Sequence, residues 1–451
     1  MNRKRAYEVV SCGLLVIWGV CADVVSGEEL RRRGMMGVML GPVNEEAKER
    51  LKLDAAKGVL VTSTVPGSAA AEAGIQGNDV IRKIGPDAVD DIPALMTTMR
   101  KYYGGDTLKL TVIREGAEKT FDLTLRPRPK ETSEEYEVIY DYAGEPGQRV
   151  RTLITRPKGE GKKPAVLIVT PITSQAMEMT FPNPHPVKSL LQEFNKAGYV
   201  TMRVDRPGVG DSEGTDLMSS TVASDTAAFR AALAKLRSYD FVNPDKVFLL
   251  GHSMGTAIVP IVAKDQKLAG IITYAASFRP WPESMVETMQ RRWRFELIPE
   301  DQMKTKVAAL QQFLDEFIAK KQPPEEILSS KPELREALGE GIVERGFVFN
   351  MPVQYGRELA AVPSANAWGA VNVPVLVLWG EADFIAGRSD SEKLAEAVNK
   401  ARPGKATFTP LPEVDHSLAK AADQEESFLA GQGTFNPKFT ETIIKWMGQQ
   451  S

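Results

Sequence analysis

Short apolar runs alternate with stretches of helical spacing in the second half of the chain. Residues 166–169, 247–250 and 373–378 are almost wholly apolar, and residues 406–409 form a further short β-prone run. Runs of this length that end in turn residues are typical of buried strands. The small and apolar residues at 256–263 predict a helix. The pattern therefore predicts an α/β domain, which we place at residues 136–450.

The alternation breaks between the predicted strand that ends near residue 275 and the one that starts at residue 373. Apolar side chains here follow a helical period, and they are Leu310, Phe313, Leu314, Phe317 and Ile318. We predict a helical cap inserted at about residues 277–371. Its aromatic side chains are either cap core or the lining of an apolar substrate site, and they are Phe278, Trp281, Trp293, Phe347, Phe349, Tyr355 and Trp368.

The first half of the chain divides into a leader, a small domain and a linker. Residues 1–22 combine a basic start, an apolar stretch too short to span a bilayer and a small-residue cleavage site, which predicts a signal peptide. An uncleaved anchor is the alternative. Residues 30–127 are predicted to form a separate unit, and the charged, proline-bearing residues 128–135 link it to the α/β domain.

Composition limits the classes of function. The chain is 43% apolar and 25% charged with a net charge of −3, which is typical of soluble globular protein and gives no basic face for nucleic acid. Both cysteines lie in the predicted signal peptide, so the mature chain has no thiol nucleophile. The sequence has no metal-ligand cluster and no phosphate- or dinucleotide-binding motif, so we expect no metal and no cofactor.

A Gly-x-Ser-x-Gly motif at residues 251–255 lies between a predicted strand and a predicted helix. This is the context of a nucleophile elbow, in which the serine backbone is strained and glycines avoid collisions in the tight turn. Ser253 is therefore the predicted nucleophile. A second match around Ser212 follows no strand and opens no apolar helix, so we interpret Ser212 as a loop residue.

A serine nucleophile needs a general base, and the chain has only three histidines. His252 lies within the elbow, and His185 lies in a loop before it. His416 follows the last predicted strand and is the expected base. Asp383, just after the strand at residues 373–378, is the expected acid.

The order Ser253, Asp383, His416 and the spacing of the strands resemble the α/β-hydrolase family over roughly residues 135–450. The resemblance implies an oxyanion hole with one N–H from Met254 and one from the loop after the third strand. Pro171 in that loop has no N–H, so the second donor is Ile172 or Thr173. The alternative is that the loop supplies no donor.

Residues 58–81 resemble the strand, Pro-Gly-Ser turn and short helix of bacterial PDZ domains. The resemblance implies that residues 30–127 are a small, mostly-β domain. It also implies that a peptide C-terminus adds as a strand, with its carboxylate on a loop formed by Met35, Met36, Gly37 and Val38. The arginines at residues 31–33 add positive charge for that carboxylate. The alternatives are a groove filled by the protein's own chain, or a module that only packs against the hydrolase.

These features together predict an exported serine hydrolase, periplasmic or extracellular, that cleaves a carboxylic ester of a small acyl substrate. No membrane span is expected once the signal peptide is removed. A serine peptidase fed by the PDZ groove is the first alternative. The second is a binding protein whose hydrolase domain is idle. A fold shared by many activities does not choose among them.

Overall fold

The computed structural model describes residues 29–180, 186–339, 341–431 and 433–450. The predicted signal peptide at residues 1–22 and His185 lie outside the described residues.

The N-terminal domain is built from a small antiparallel sheet and three helices. The sheet runs in the order β2-β3-β4-β6-β7, while β5 pairs with β4 and β1 pairs with β8. Its elements are β1 (Gly34–Met35), β2 (Val38–Pro42), α1 (Glu45–Leu51), β3 (Val59–Thr64), α2 (Ala69–Glu72), β4 (Val80–Ile84), β5 (Asp87–Ala88), α3 (Ile92–Met99), β6 (Thr107–Arg114), β7 (Ala117–Thr124) and β8 (Arg126–Pro127).

Polar side chains fix the helix starts of this domain above its apolar core. Ser68 and Asp91 cap α2 and α3 by accepting hydrogen bonds from N–H groups of the first turn. Val59, Ile81 and Leu110 are fully buried between the sheet and these helices. The domain is thus a small, mostly-β unit, as predicted.

The C-terminal domain is organised around one eight-stranded sheet of order β19-β18-β14-β13-β11-β12-β10-β9. Strand β10 is antiparallel to both of its neighbours, β9 and β12, and all other neighbouring strands run parallel. The strands are β9 (Tyr136–Ala143), β10 (Val150–Pro157), β11 (Lys163–Val169), β12 (Val200–Val204), β13 (Val242–His252), β14 (Gly270–Tyr274), β18 (Val375–Gly380) and β19 (Ala406–Leu411).

Helices cover both faces of this sheet, which explains the continuous apolar runs of its strands. In β11, Val166 and Ile168 join the core on one face, while Leu167 and Val169 join the core on the other. The covering helices are α4 (Pro186–Lys196), α5 (Val222–Ser238), α6 (Gly255–Ala263), α13 (Arg388–Ala401) and α15 (Lys438–Met447). The domain also has a 3₁₀ turn at Leu217–Ser219 and a mostly exposed helix, α14 (Gln424–Ala430). The predicted α/β-hydrolase architecture is confirmed.

The chain between β14 and β18 is mainly helical. Its elements are α7 (Trp281–Phe295), α8 (Glu300–Leu314), a π-helical turn (Asp315–Ala319), α9 (Pro324–Ser330), α10 (Pro332–Leu338), β15 (Val343–Glu344), β16 (Phe347–Val348), β17 (Met351–Pro352), α11 (Val353–Ala360) and α12 (Ser364–Gly369). Trp281, Trp293, Tyr355 and Trp368 are buried in its packed core, whereas Phe278, Phe347 and Phe349 are half-buried. The four buried rings therefore serve packing.

Candidate active site

Ser253 occupies a sharp turn between β13 and α6. Its φ of 53° lies in the left-handed region, which is strained for a residue with a side chain. Its N–H donates to the carbonyl of Tyr274 at 2.9 Å, on the neighbouring strand β14. The carbonyl of Ser253 accepts the N–H and the hydroxyl of Thr256 at 2.9 and 2.6 Å. The turn is therefore held on both sides of the serine.

The two glycines of the motif allow the helix to approach the sheet. A Cβ on Gly255 would lie 2.2 Å from the carbonyl oxygen of Val169 at the end of β11. A Cβ on Gly251 would lie 2.7 Å from a methyl group of Val259 on α6. Both distances are far below a normal contact, so a side chain at either position would push the helix away.

Asp383 lies in the turn after β18 and is completely buried. Its Oδ1 accepts hydrogen bonds from the N–H groups of Ile385 and Ala386, both at 2.8 Å. Its Oδ2 lies 2.8 Å from Nδ1 of His416. The carboxylate is thus fixed by its own turn and orients the imidazole, so that Nδ1 donates and Nε2 is left as the basic nitrogen.

The environment of His416 favours its protonated form. Burial lowers the pKa of this imidazole, but the charge of Asp383 and the hydrogen bond to it, with a contribution from Asp415, outweigh burial and raise the pKa above its usual 6.5. A base of raised pKa is a stronger proton acceptor when it is neutral.

His252, within the elbow, anchors the loop that carries His416. Its Nε2–H donates to the carbonyl of His416 at 3.0 Å, and the two rings lie 5.0 Å apart between centroids. Burial lowers the pKa of His252 to about 3, with the nearby His416 adding to the effect, so it stays neutral. Tyr274 stacks on His252, and its hydroxyl donates to the carbonyl of Asp415. The only sequence signal for this role was the position of His252 beside the nucleophile.

The three predicted oxyanion donors are the N–H groups of Met254, Ile172 and Thr173. Among hydrogen bonds between described residues, none is donated by the N–H groups of Met254, Ile172 or Thr173. Met254 begins the first turn of α6 directly after Ser253. The side chain of Ile172 is buried in the core, and the hydroxyl of Thr173 accepts the N–H of Gln175 at 3.1 Å. Residues 170–180, which carry Ile172 and Thr173, are called the oxyanion loop below.

A buried arginine holds the start of the oxyanion loop. Arg206, which follows β12, donates through Nη2 to the carbonyl of Thr170 at 2.7 Å and through Nη1 to its hydroxyl at 3.1 Å. Its Nε pairs with Asp225 on α5 at 2.7 Å, and the hydroxyl of Tyr355 on α11 donates to the same carboxylate. The sequence alone does not single out Arg206, because its partners are far apart in the chain.

A second buried group holds the middle of the same loop. Asp205 accepts the N–H of Met177 at 2.6 Å, and burial, with the charges of Glu178 and Asp211, raises the pKa of its carboxyl to about 7. Arg203 donates to the carbonyl of Met177 and forms an ion pair with Glu131.

The predicted carboxylate loop of the N-terminal domain lies between β1 and β2. Met35 ends β1, Met36 is buried in the core and Val38 begins β2. Gly37 has φ 79°, and a Cβ on it would lie 2.2 Å from Cβ of Ser68, so only glycine fits. Strand β2 is at the edge of its sheet, beside α3. This edge has the geometry that strand addition of a peptide requires.

The arginines at residues 31–33 do not add free positive charge to that loop. Arg31 pairs with Asp106 of its own domain. Arg32 and Arg33 bond to the hydrolase domain instead, through Asp211 and the carbonyl of Gly210. The prediction for these side chains is wrong for Arg32 and Arg33, because the Arg32 side chain pairs with buried carboxylates of the hydrolase domain and the Arg33 side chain donates to backbone carbonyls.

A family model described as serine aminopeptidase, S33, matches residues 186–420, which is more than half of the chain. The chain belongs to this family. A PDZ domain model matches residues 34–125, so the S33-family domain is preceded by a PDZ domain.

Curated relatives match parts of this S33-family chain. It is 23% identical over 240 residues to Esterase EstD of Thermotoga maritima, covering 53% of this chain and 51% of the esterase. It is 30% identical over 152 residues to a probable periplasmic serine endoprotease DegP-like protein of Bartonella henselae, covering 33% of this chain and 30% of that protein. Periplasmic serine endoprotease DegP of Salmonella typhimurium is 33% identical over 95 residues, or 21% and 20% of the two chains. The chain therefore spans between 20% and 51% of the length of these relatives.

Solved structures of other proteins also match this chain. Est1E from Butyrivibrio proteoclasticus matches with 15% identity and a TM-score of 0.43, covering 69% of this chain and 98% of that one. An acylaminoacyl peptidase from Pyrococcus horikoshii matches with 10% identity and a TM-score of 0.46, covering 77% and 47%.

The described residues of this S33-family chain offer neither a metal-binding cluster nor a membrane-spanning helix. No group of three or more His, Cys, Asp or Glu side chains there is arranged to hold a metal ion. None of the described helices has the length and apolar character needed to cross a membrane.

Proposed function

We propose that this chain is a serine hydrolase that cleaves carboxylic esters with Ser253 as nucleophile, His416 as general base and Asp383 as its orienting acid. One observation carries the proposal: the imidazole of His416 is bonded to a buried carboxylate, while its backbone is tied to His252, the neighbour of Ser253. Family membership supports the same class of enzyme.

The reaction follows from these positions. As Oγ of Ser253 attacks the acyl carbon, its proton passes to Nε2 of His416, and the substrate carbonyl becomes an oxyanion. The N–H of Met254 and that of Ile172 or Thr173 stabilise the oxyanion. His416 then protonates the departing alcohol, which leaves an acyl-enzyme. Water, deprotonated by His416, attacks the acyl carbon and releases the acid and the serine.

The choice of an ester bond rests on the similarity to Esterase EstD. A serine peptidase fed by the PDZ groove is the second candidate, because the matched family is described as a serine aminopeptidase. In both cases the loop at residues 35–38 would receive the carboxylate of a peptide beside the edge strand β2. An idle hydrolase domain that only binds a partner is the third.

We further propose that the chain is exported and acts in the periplasm or outside the cell, after removal of residues 1–22. The periplasmic location named for the DegP relatives supports this. The domain boundaries proposed for the mature chain are residues 30–127, 128–135 and 136–450, with a cap at about 277–371.

A fluorophosphonate probe tests the proposal directly, because it labels only a serine that is activated for attack. We expect the wild-type chain to be labelled at Ser253 and to hydrolyse short acyl esters. The S253A variant should lose labelling and at least about 10⁴-fold in turnover, while its circular dichroism spectrum is unchanged. Near-wild-type turnover in S253A would end the proposal.

Parallel assays separate the candidates. Short p-nitrophenyl esters and peptide amides are compared with the same enzyme preparation, and faster cleavage of peptide amides would favour the peptidase. A wild-type chain that is not labelled would favour the idle domain.

A further inference from the structure

The segment that precedes β1 bonds to the hydrolase domain through one nearly buried arginine. The side chain of Arg32 is only 11% exposed, and all three nitrogens of its guanidinium donate hydrogen bonds. Its Nε and Nη2 bond the carbonyl of Arg128, and Nη2 also bonds the carbonyl of Pro129, at 2.8 to 3.1 Å. These contacts fix Arg32 to the linker between the two domains.

The remaining nitrogen of Arg32 pairs with two buried carboxylates of the hydrolase domain. Nη1 lies 2.6 Å from Glu178 and 2.5 Å from Asp211, and these side chains are 2% and 3% exposed. Buried carboxylates that lose their cation are strongly destabilised. Arg128 at 3.4 Å from Glu178 and Arg151 at 3.6 Å from Asp211 are more distant partners.

Both carboxylates are connected to the oxyanion loop, Glu178 as part of it and Asp211 through Asp205. Glu178 is part of it, next to Met177, whose N–H and carbonyl are bonded by Asp205 and Arg203. Asp211 follows Gly210, which packs so closely on Asp205 that a Cβ there would lie 2.1 Å from the Asp205 carboxylate. Arg32 therefore joins the two segments that hold the middle of the loop.

Two further contacts lead from the PDZ domain to the same region. Arg33 donates from Nε to the carbonyl of Gly210 at 2.6 Å and also bonds the carbonyl of Arg100 at the end of α3. Arg100 in turn donates to the carbonyl of Ser174 in the oxyanion loop at 3.4 Å. The loop is thus contacted from outside the hydrolase domain at two separate places.

We propose that Arg32 is a positioning residue of the hydrolase site: from outside the hydrolase domain, it holds the oxyanion loop where Ile172 or Thr173 can donate to the transition state. The inference rests on the proposed function. It predicts that Arg32 affects the rate of attack by Ser253 more than the binding of the reagent.

The test measures the rate at which a fluorophosphonate labels Ser253 in the full chain, resolved into a maximal rate and a half-saturating concentration. Phosphonylation develops charge in the oxyanion hole, so it reports on the loop whatever the natural substrate is. We expect R32Q to lower the maximal rate by about tenfold or more, with half-saturation changed less than about threefold, since loss of an oxyanion donor costs about 10²- to 10³-fold.

Arg31 provides a matched control. It is the adjacent arginine, is 59% exposed and pairs with Asp106 within its own domain. R31Q removes the same charge and should label at the wild-type rate. Equal rates for R32Q and wild type would overturn the inference and leave the proposed function intact, whereas no labelling of the wild-type chain would overturn both.

A triple variant separates positioning from general destabilisation. In R32Q/E178Q/D211N the two carboxylates that Arg32 neutralises are replaced by neutral amides of the same shape. We expect it to regain at least about half of the lost labelling rate on a logarithmic scale, because the side chains at residues 178 and 211 then carry no charge that has lost the Arg32 cation. R32K, which keeps the charge without the fork, should fall between R32Q and wild type. If R32Q does not fold, R32K and the triple variant carry the test. The proposal is then contradicted if R32K is labelled at the wild-type rate and the triple variant shows no recovery.

Discussion

The two halves of the candidate site are held in different ways. On the side of Asp383 and His416, the supporting bonds come from short turns at the ends of neighbouring strands, such as the N–H groups of Ile385 and Ala386. On the side of the oxyanion loop, support comes from buried charged groups in distant segments, such as Arg206 and Arg32. The first half is built by local geometry, and the second depends on the whole chain being folded.

The largest effect is expected where the locally built half is broken. D383N keeps the shape of the side chain but removes the charge, and an amide can hold the wrong imidazole tautomer of His416. We expect turnover to fall by about 10³- to 10⁴-fold. Steady-state ester hydrolysis over a pH series measures it, and loss of less than about tenfold would contradict the role of Asp383.

The pH profile of the same pair gives an independent measurement. His416 must be neutral to accept a proton, and its pKa is raised above 6.5, so wild-type kcat/KM should rise with pH to a midpoint above 6.5. In D383N the stabilising charge is gone and burial dominates, so the midpoint should move to lower pH. The neutral His252 should not contribute a second limb in this range.

The next effect tests the half that is held at long range. R206K keeps a positive charge, but a single ammonium group cannot reach Asp225 and both oxygens of Thr170 in the fork geometry of Arg206. We expect kcat to fall by about 10²-fold, with KM changed less than about threefold. R230K, at an arginine that bonds the carbonyl of Ile261 on α6, is the control and should retain its kcat. An unchanged kcat in R206K would show that the loop does not need this anchor.

The same division explains what the sequence could predict. Ser253, Asp383 and His416 each follow a strand that ends in a readable turn, so strand order brings the three loops to one edge of the sheet. The partners of Arg206, Asp205 and Arg32 lie across the sheet or across the domain boundary, and only the fold pairs them. The arginines at residues 31–33 show the consequence, because their charge was clear from the sequence but their partners were not.

A substitution of His252 tests the hydrogen bond between the elbow that carries Ser253 and the loop that carries His416. H252F keeps an aromatic ring on Tyr274 but removes the N–H that bonds the carbonyl of His416. We expect kcat to fall by about tenfold and the free energy of unfolding to drop by about 1–3 kcal/mol, since the part-buried carbonyl of His416 loses its donor. H252Q can supply an N–H and should lie closer to wild type in both measurements. If H252F and H252Q behave alike, the hydrogen bond does not position His416.

The smallest effect on activity is expected at Asp205, and the free energy of unfolding is the quantity that should change there. Its carboxyl has a folded-state pKa of about 7, against 3.8 for an exposed carboxyl. Between these two values the folded chain binds more protons than the unfolded chain, so this group makes the folded state less stable as pH rises. D205N keeps the acceptor for the N–H of Met177 without the charge. Its stability relative to wild type should therefore increase from pH 4 to pH 8, by an amount on the order of 4 kcal/mol.

Denaturant unfolding at several pH values measures this difference, and the D240N variant at the exposed Asp240 is the control. The kcat of D205N at pH 8 should stay within about threefold of wild type. A stability difference that does not vary with pH would mean that the Asp205 carboxylate is already charged in the folded chain. The oxyanion loop would then be anchored entirely by charged groups.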